Sequence, residues 1–250
     1  MRRLTLLVFT LIAVPIGIQA AMMAHAGWPT SWARADWSSS GQAPAAARVR
    51  GATVQIWAAR SGRWKGIFAD HTWIALKPAG ARRYERYDVV GWGRPVRRNG
   101  WPVDAKWYSN QPRVVHEVRG KEAARLIPKI RAAIRRYPAR KRGDYRVWPG
   151  PNSNSFVAWV TREVPEIGAE MPATAIGKDW LGGGFSLART PSGSGWQVSL
   201  GGVIGGALAW EEGIELHLLG ATIGIDPNDL AIKLPGLGSV SALPSRPIGT

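Results

Sequence analysis

The sequence has no cysteine. That single absence removes disulfides, thiol nucleophiles and Cys-ligated zinc together. Histidine is scarce, at His25, His71, His116 and His217 only. An imidazole-built metal site is therefore hard to assemble, and neither a metal nor a cofactor is expected. Acidic residues number 17 against 33 Lys and Arg in 250 residues, a formal charge of +16. Charge of either sign is missing altogether between Arg3 and Arg34, and no internal repeat is evident. What is plentiful is tryptophan (14), glycine (30) and proline (18), with 45% hydrophobic residues. Wholesale disorder is excluded by that composition, which suits a loop-rich, mostly β or α+β domain.

Residues 1–33 read as an export segment. Arg2 and Arg3 form a basic stub, and the apolar stretch from Leu4 to Ile18 has the length of a signal-peptide core. Ala24-His25-Ala26 offers an A-x-A cleavage site. The same segment, charge-free from Leu4 to Ala26, is long enough to stay as a membrane anchor. Trp28 and Trp32 would suit the interfacial belt of that anchor. Either way the basic end stays inside and the domain is expected on the periplasmic side. The expected membrane contact is residues 4–26.

Residues 34–50 are rich in Ala, Ser, Gly and Pro without an apolar period and read as a linker. A single globular domain is expected over 51–240, with a tail at 241–250. ATVQIWAA, HTWIALK, RYERYDVV and RVVHEV are short β-rich runs. Apolar residues at three- and four-residue steps predict a helix over 121–137, kinked or restarted at Pro128, and another over 153–164. Residues 165–195 read as irregular. The apolar, Gly-rich stretch 196–238 suggests a hairpin turning at Glu211-Glu212-Gly213, or apolar strands against a membrane. The expected fold is α+β: a small, mostly antiparallel sheet packed on two or more helices, behind an N-terminal membrane-spanning or signal helix.

The positive charge is concentrated. Residues 113–146 hold twelve Lys and Arg against three acids, a balance of +9, while 200–250 balance at −3. The acidic neighbour of an exported basic segment is anionic lipid or cell-wall polymer before nucleic acid, and no nucleic-acid-binding signature is present. The plainer reading is the solvated face of an amphipathic helix.

Two spots could carry chemistry. Asp70-His71-Thr72-Trp73 opens a strand, and Pro149-Gly150-Pro151-Asn152-Ser153 is a stiff turn leading into a helix. A hydroxyl at a helix N-terminus lies among unpaired N–H groups that stabilise an oxyanion. A histidine on an adjacent strand could serve as its base. Equally, Ser153 or Asn152 could simply cap the helix, and His71 could be a buried structural histidine.

VVGWG (89–93), RYPARKRGDYRVWPGPNSNSFVAWV (136–160), AIGKDW (175–180) and AIKLPGLG (231–238) resemble the bacterial domain-of-unknown-function family 3750. The resemblance covers roughly 52–238 and implies no activity. The order of His-bearing strand, further strands, Ala-rich helix and Asn-x-x-x-Phe helix start is also similar to circularly permuted papain-like enzymes of the lecithin:retinol acyltransferase type. That similarity implies His71 as base and Ser153 in the place of the nucleophilic cysteine, with Glu85 or Tyr87 as the third polar residue. It puts Asn152 and Tyr145 on the substrate side, where Trp73 beside His71 is also expected. A serine relies wholly on its base where a thiol would not. Two functions follow: a cell-envelope binding or scaffold protein with a degenerate papain-like site, or a serine-dependent amide/ester hydrolase or acyltransferase using Ser153 and His71.

Overall fold

A computed structural model describes residues 2–27 and 31–243, with side chains from Phe9 onward in the first helix. Trp28 and most of the 241–250 tail lie outside the described residues. The first helix, α1 (Arg2–Ala26), carries Pro15 inside it. Its Phe9–Ala26 stretch has a mean hydropathy of 1.5, long and apolar enough to cross a membrane.

Five antiparallel strands follow: β1 (Thr53–Arg60), β2 (Asp70–Lys77), β3 (Glu85–Val89), β4 (Val96–Arg98) and β5 (Arg113–Arg119). They lie in the order β4-β3-β2-β1-β5. Strand alternation sorts their side chains, so Val54, Ile56, Ile74 and Leu76 face one way. Helices α2 (Gly120–Arg136) and α3 (Ser153–Glu163) cover that face. Leu126, Ile127, Ile130 and Ile134 of α2 and Phe156, Val157 and Val160 of α3 close the core. Each such side chain contributes about 1.5–3 kcal/mol on burial. Helix α2 runs through Pro128 and continues to Arg136.

The other face of the sheet is covered by aromatic rings. Trp57 and Trp73 stack at 6.1 Å, and Trp37, Trp101, Trp107 and Tyr108 pack around them. Trp37 comes from the segment expected as a linker. That segment has no long element, yet it is pinned down: Asp36 pairs with Lys106 at 2.5 Å, and Ser39 bridges to Ala105. The half-buried Trp37 indole, this ion pair and the hydrogen bonds of Ser39 and Ala43 to Asp104 hold the segment on the sheet.

The largest departure from expectation is a second sheet. Strands β6 (Phe185–Arg189), β7 (Gly195–Leu200), β8 (Ile204–Ala209), β9 (Gly213–Leu218), β10 (Ala221–Asp226), β11 (Ala231–Leu234) and β12 (Gly238–Ser241) form a seven-stranded antiparallel meander. The β8–β9 turn falls at the expected Glu211–Gly213 position, but the hairpin is the centre of a sheet and 165–195 contributes β6. Its buried face is polar and its exposed face apolar. Along β9, Glu215 and His217 are buried while Ile214, Leu216 and Leu218 are exposed. Helix α1 docks against β11 and the short 3-10 turn Arg63–Ile67.

Candidate functional site

A cavity of about 590 Å³ lies where α1, β2, the start of α3 and the β9–β10 turn meet. Its polar wall includes Asp70, His71, Tyr145, Asn152 and Ser153. Its apolar wall includes Ile12 and Ile16 of α1, Leu218 and Ile223 of the meander, and Phe68.

Asn152 is the N-cap of α3. Its Oδ1 accepts from the N–H groups of Asn154 and Ser155 at 2.9 and 3.0 Å. The Asn152 N–H donates to Ser155 Oγ at 2.7 Å, completing a capping box. Ser153 is therefore the first residue inside the helix. Among the described residues no hydrogen bond uses its Oγ, although the residue is buried. The helix start is stitched to β2. Thr72 Oγ1 donates to Asn154 Oδ1 at 2.9 Å, and Asn154 Nδ2 donates to the Asp70 carbonyl at 3.0 Å. Gly91 lies beneath Tyr145, where a Cβ would meet the ring at 2.9 Å, so a bare backbone seats this tyrosine at the cavity.

Because Thr72 points to α3, strand alternation turns His71 to the opposite, aromatic face. There its ring stacks on Trp107 with centroids 3.6 Å apart. Its Nε2 lies 3.1 Å from Asp88 Oδ1. Arg86 Nε and Nη2 each donate to Asp88 at 2.8 Å, a bidentate pair. All three side chains are buried. Burial pushes the His71 imidazole below its ordinary value, and Asp88 only partly offsets this. Burial alone would raise the Asp88 carboxyl, but Arg86 and His71 outweigh it and hold the group low. Asp70 behaves likewise between Arg113 (2.5 Å) and Thr174 Oγ1 (2.6 Å). Burial pushes the Tyr145 phenol up to about 12. At neutral pH the site therefore holds a neutral imidazole, two ionised and paired carboxylates, and a protonated phenol.

His71, Ser153, Asn152 and Tyr145 line the same cavity. No hydrogen bond joins His71 to Ser153 among the described residues. Trp73 and Glu85 stand apart from it. Trp73 belongs to the aromatic layer, its Nε1 donating to the Val103 carbonyl at 2.8 Å. Glu85 is on the helix-facing side of β3, bonded to Arg131 and to Tyr87 Oη. The carboxylate that reaches His71 is Asp88, three residues on and therefore on the other face. Sequence reasoning missed Asp88, Arg86 and Trp107. Arg-x-Asp at strand spacing was the available signal, since residues two apart share a face.

The basic segment is largely solvated helix surface with partners. Arg125 pairs with Glu122, Lys129 with Glu166, Arg131 with Glu85 and Arg136 with Glu163.

No curated protein and no solved structure matches the chain. Residues 51–180 match the family described as Protein of unknown function (DUF3750). The match takes in all five strands of the first sheet, α2, α3 and the polar wall of the cavity, and ends before β6. The resemblance expected to run to 238 is thus carried by the first sheet and its helices, and on that match the chain belongs to the DUF3750 family.

Proposed function

We propose that this is an exported cell-envelope protein, held at the membrane by α1, that binds a membrane amphiphile without turning it over. The observation that carries the reading is the composition of the cavity. One wall is made by the apolar helix itself, through Ile12 and Ile16, and the opposite wall carries His71, Ser153 and Tyr145. Such a cavity suits an acyl or isoprenoid chain with a polar head at the start of α3. Lys65 at its rim favours an anionic head. The locked state of His71, stacked and bonded to a carboxylate that Arg86 already neutralises, fits a binding wall better than a base.

The test is native mass spectrometry of the full chain extracted in mild detergent. Retained lipid is expected with the wild type and should be lost from Ile223→Trp, which fills the cavity, while melting temperature holds. A wild-type protein free of lipid, or equal retention by the variant, contradicts the reading.

A second reading, a serine-dependent amide or ester hydrolase or acyltransferase, is supported by one observation. Ser153 Oγ is not used by the cap and lines the same cavity as the His71–Asp88 pair. Covalent capture of Ser153 by a fluorophosphonate, abolished in both Ser153→Ala and His71→Ala, would replace the first reading with this one.

A further inference from the structure

The seven-stranded meander is built with its polarity reversed. Cross-strand pairing places Trp196, Leu208, Ile214, Ile225, Ile232 and Val240 in one continuous row across β7 to β12. All six are exposed, with Leu208 at 68%. The next row repeats the pattern through Leu187, Val198 and Leu216. Arg189, lying over the Trp196 ring at 4.3 Å, is the charged residue at the end of the first row. The opposite face is where the charges are. Glu215 pairs there with Lys178 and Lys233 at 2.8 Å, beside His217. A soluble sheet puts its apolar side chains on the core side. This one offers them to the outside as a contiguous patch, which marks a surface for a partner.

Helix α1 indicates which partner. It docks through one stripe, Ile12, Pro15, Ile16, Gln19 and Met23, at helical spacing. Gln19 Oε1 accepts from Arg60 Nη2 at 3.4 Å, so this buried polar side chain of the apolar helix is bonded to the domain. The docked stretch from Ile12 to Met23 is about 17 Å of helix rise. A helix that crosses a hydrocarbon core of about 30 Å therefore carries part of the domain into the same slab. Leu218 and Ile223 of the exposed face line the cavity together with Ile12 and Ile16, so that face continues directly from the helix. The turns differ at the two ends of the sheet. Those near α1 hold Val203, Leu219 and Pro235, whereas the far end carries Trp210, Glu211 and Asp229, the polarity order of a membrane interface.

We infer that the apolar face of the meander is seated in the leaflet on the Ala26 side of α1, making the protein both anchored and monotopic. Among the described residues β6 and β12 are the open edges, and they limit its depth, because hydrocarbon leaves unpaired backbone groups unsatisfied. The sheet is a plate lying in one leaflet and does not span. This inference rests on α1 being retained as a membrane helix, and the experiment separates the two.

The absence of native cysteine permits single nitroxide labels on the full chain reconstituted in lipid vesicles. Val14→Cys reports α1, Leu216→Cys and Ile232→Cys report the sheet, and Arg82→Cys reports the opposite side of the domain. Expected is a loss of collisions with a water-soluble nickel chelate and a gain with oxygen at Val14, Leu216 and Ile232, with Arg82 open to nickel. Nickel access at Leu216 and Ile232 with Val14 protected overturns the inference and leaves the anchor standing. Nickel access at all three overturns both. Protection of Leu216 accompanied by spin–spin broadening between labelled copies overturns it in favour of a second copy of this chain.

Discussion

Asn152 holds the start of α3 through its whole amide. Its Oδ1 caps two N–H groups, while Nδ2 donates to the carbonyls of Val147 and Ile176 at 3.1 Å. Replacing it with Ala should cost about 0.5–2 kcal/mol through the lost cap. Ser153→Ala should stay within about 0.5 kcal/mol, because among the described residues no hydrogen bond to its Oγ is lost. Urea unfolding of the two variants checks the pair, and equal losses would give Ser153 a structural role that the geometry does not show. A second contrast lies in β3. Asp88→Asn strips the buried Arg86 of its partner and should cost about 3–5 kcal/mol. Glu85→Gln removes a carboxylate whose partners, Arg98 and Arg131, reach solvent, and should cost no more than about 1 kcal/mol. The same contrast shows how far single residues were legible. His71, Asn152 and Ser153 could be picked out by type and neighbourhood and Tyr145 through the resemblance alone, and all four line one cavity. Asp88 could not be preferred to Glu85 from type alone. Only the face of β3 distinguishes them, and that face is set by pairing with β2.

At the scale of elements, the first sheet was readable because its strands and helices obey ordinary periods. Ile74 and Leu76 alternate toward α3, and Leu126, Ile130 and Ala133 repeat along α2, so spacing alone marks them. The meander also alternates, but with its polar residues inward and with Gly205, Gly206 and Gly224 thinning the pattern. Gly224 packs its bare Cα against the carbonyl of Ile214, so an expected side chain is missing from the strand signal. The inward polar row has a consequence for stability. Burial, with Lys178 adding to it, pushes His217 on β9 down to about 4. In the unfolded chain the same imidazole takes up its proton near pH 6.5. Between these values the unfolded state binds the extra proton, so stability falls as pH drops from about 6.5 to about 4 and changes little from this group above or below. His71 and His116 are shifted in the same direction by burial. Chemical denaturation at pH 7.5 and pH 5 should show the loss, and His217→Gln should shallow the slope. A slope unchanged in that variant would mean that other groups set it.

At the scale of the whole molecule, orientation is set by the charge around α1. Arg2 and Arg3 flank the apolar stretch on one side, and the orientation we propose, by the excess-positive rule, has that end in the cytoplasm and the remainder outside it. Alkaline phosphatase fused to the C-terminus should be active, and activity from a cytoplasmic reporter at the same place would reverse the assignment. The charge-free run made the apolar helix itself readable from sequence. What could not be read is that α1 packs on the domain, since its docking stripe needs Arg60 and the β11–β12 turn to be in place. Ile12 and Ile16 are wall residues of the cavity, so a chain prepared without α1 would present that cavity with one side missing.

The reversed meander has a mechanical consequence as well. Seven strands at about 4.8 Å spacing and six residues at about 3.4 Å rise outline a plate of roughly 30 by 20 Å. Seated in one leaflet, such a plate enlarges that leaflet alone and leaves the opposite one at its original area. The mismatch is relieved where the membrane bulges toward the plate, as it is for other one-sided amphipathic insertions. The protein should therefore sort by shape as well as by lipid chemistry. It should gather on narrow tubules and small vesicles over flat bilayer of the same composition.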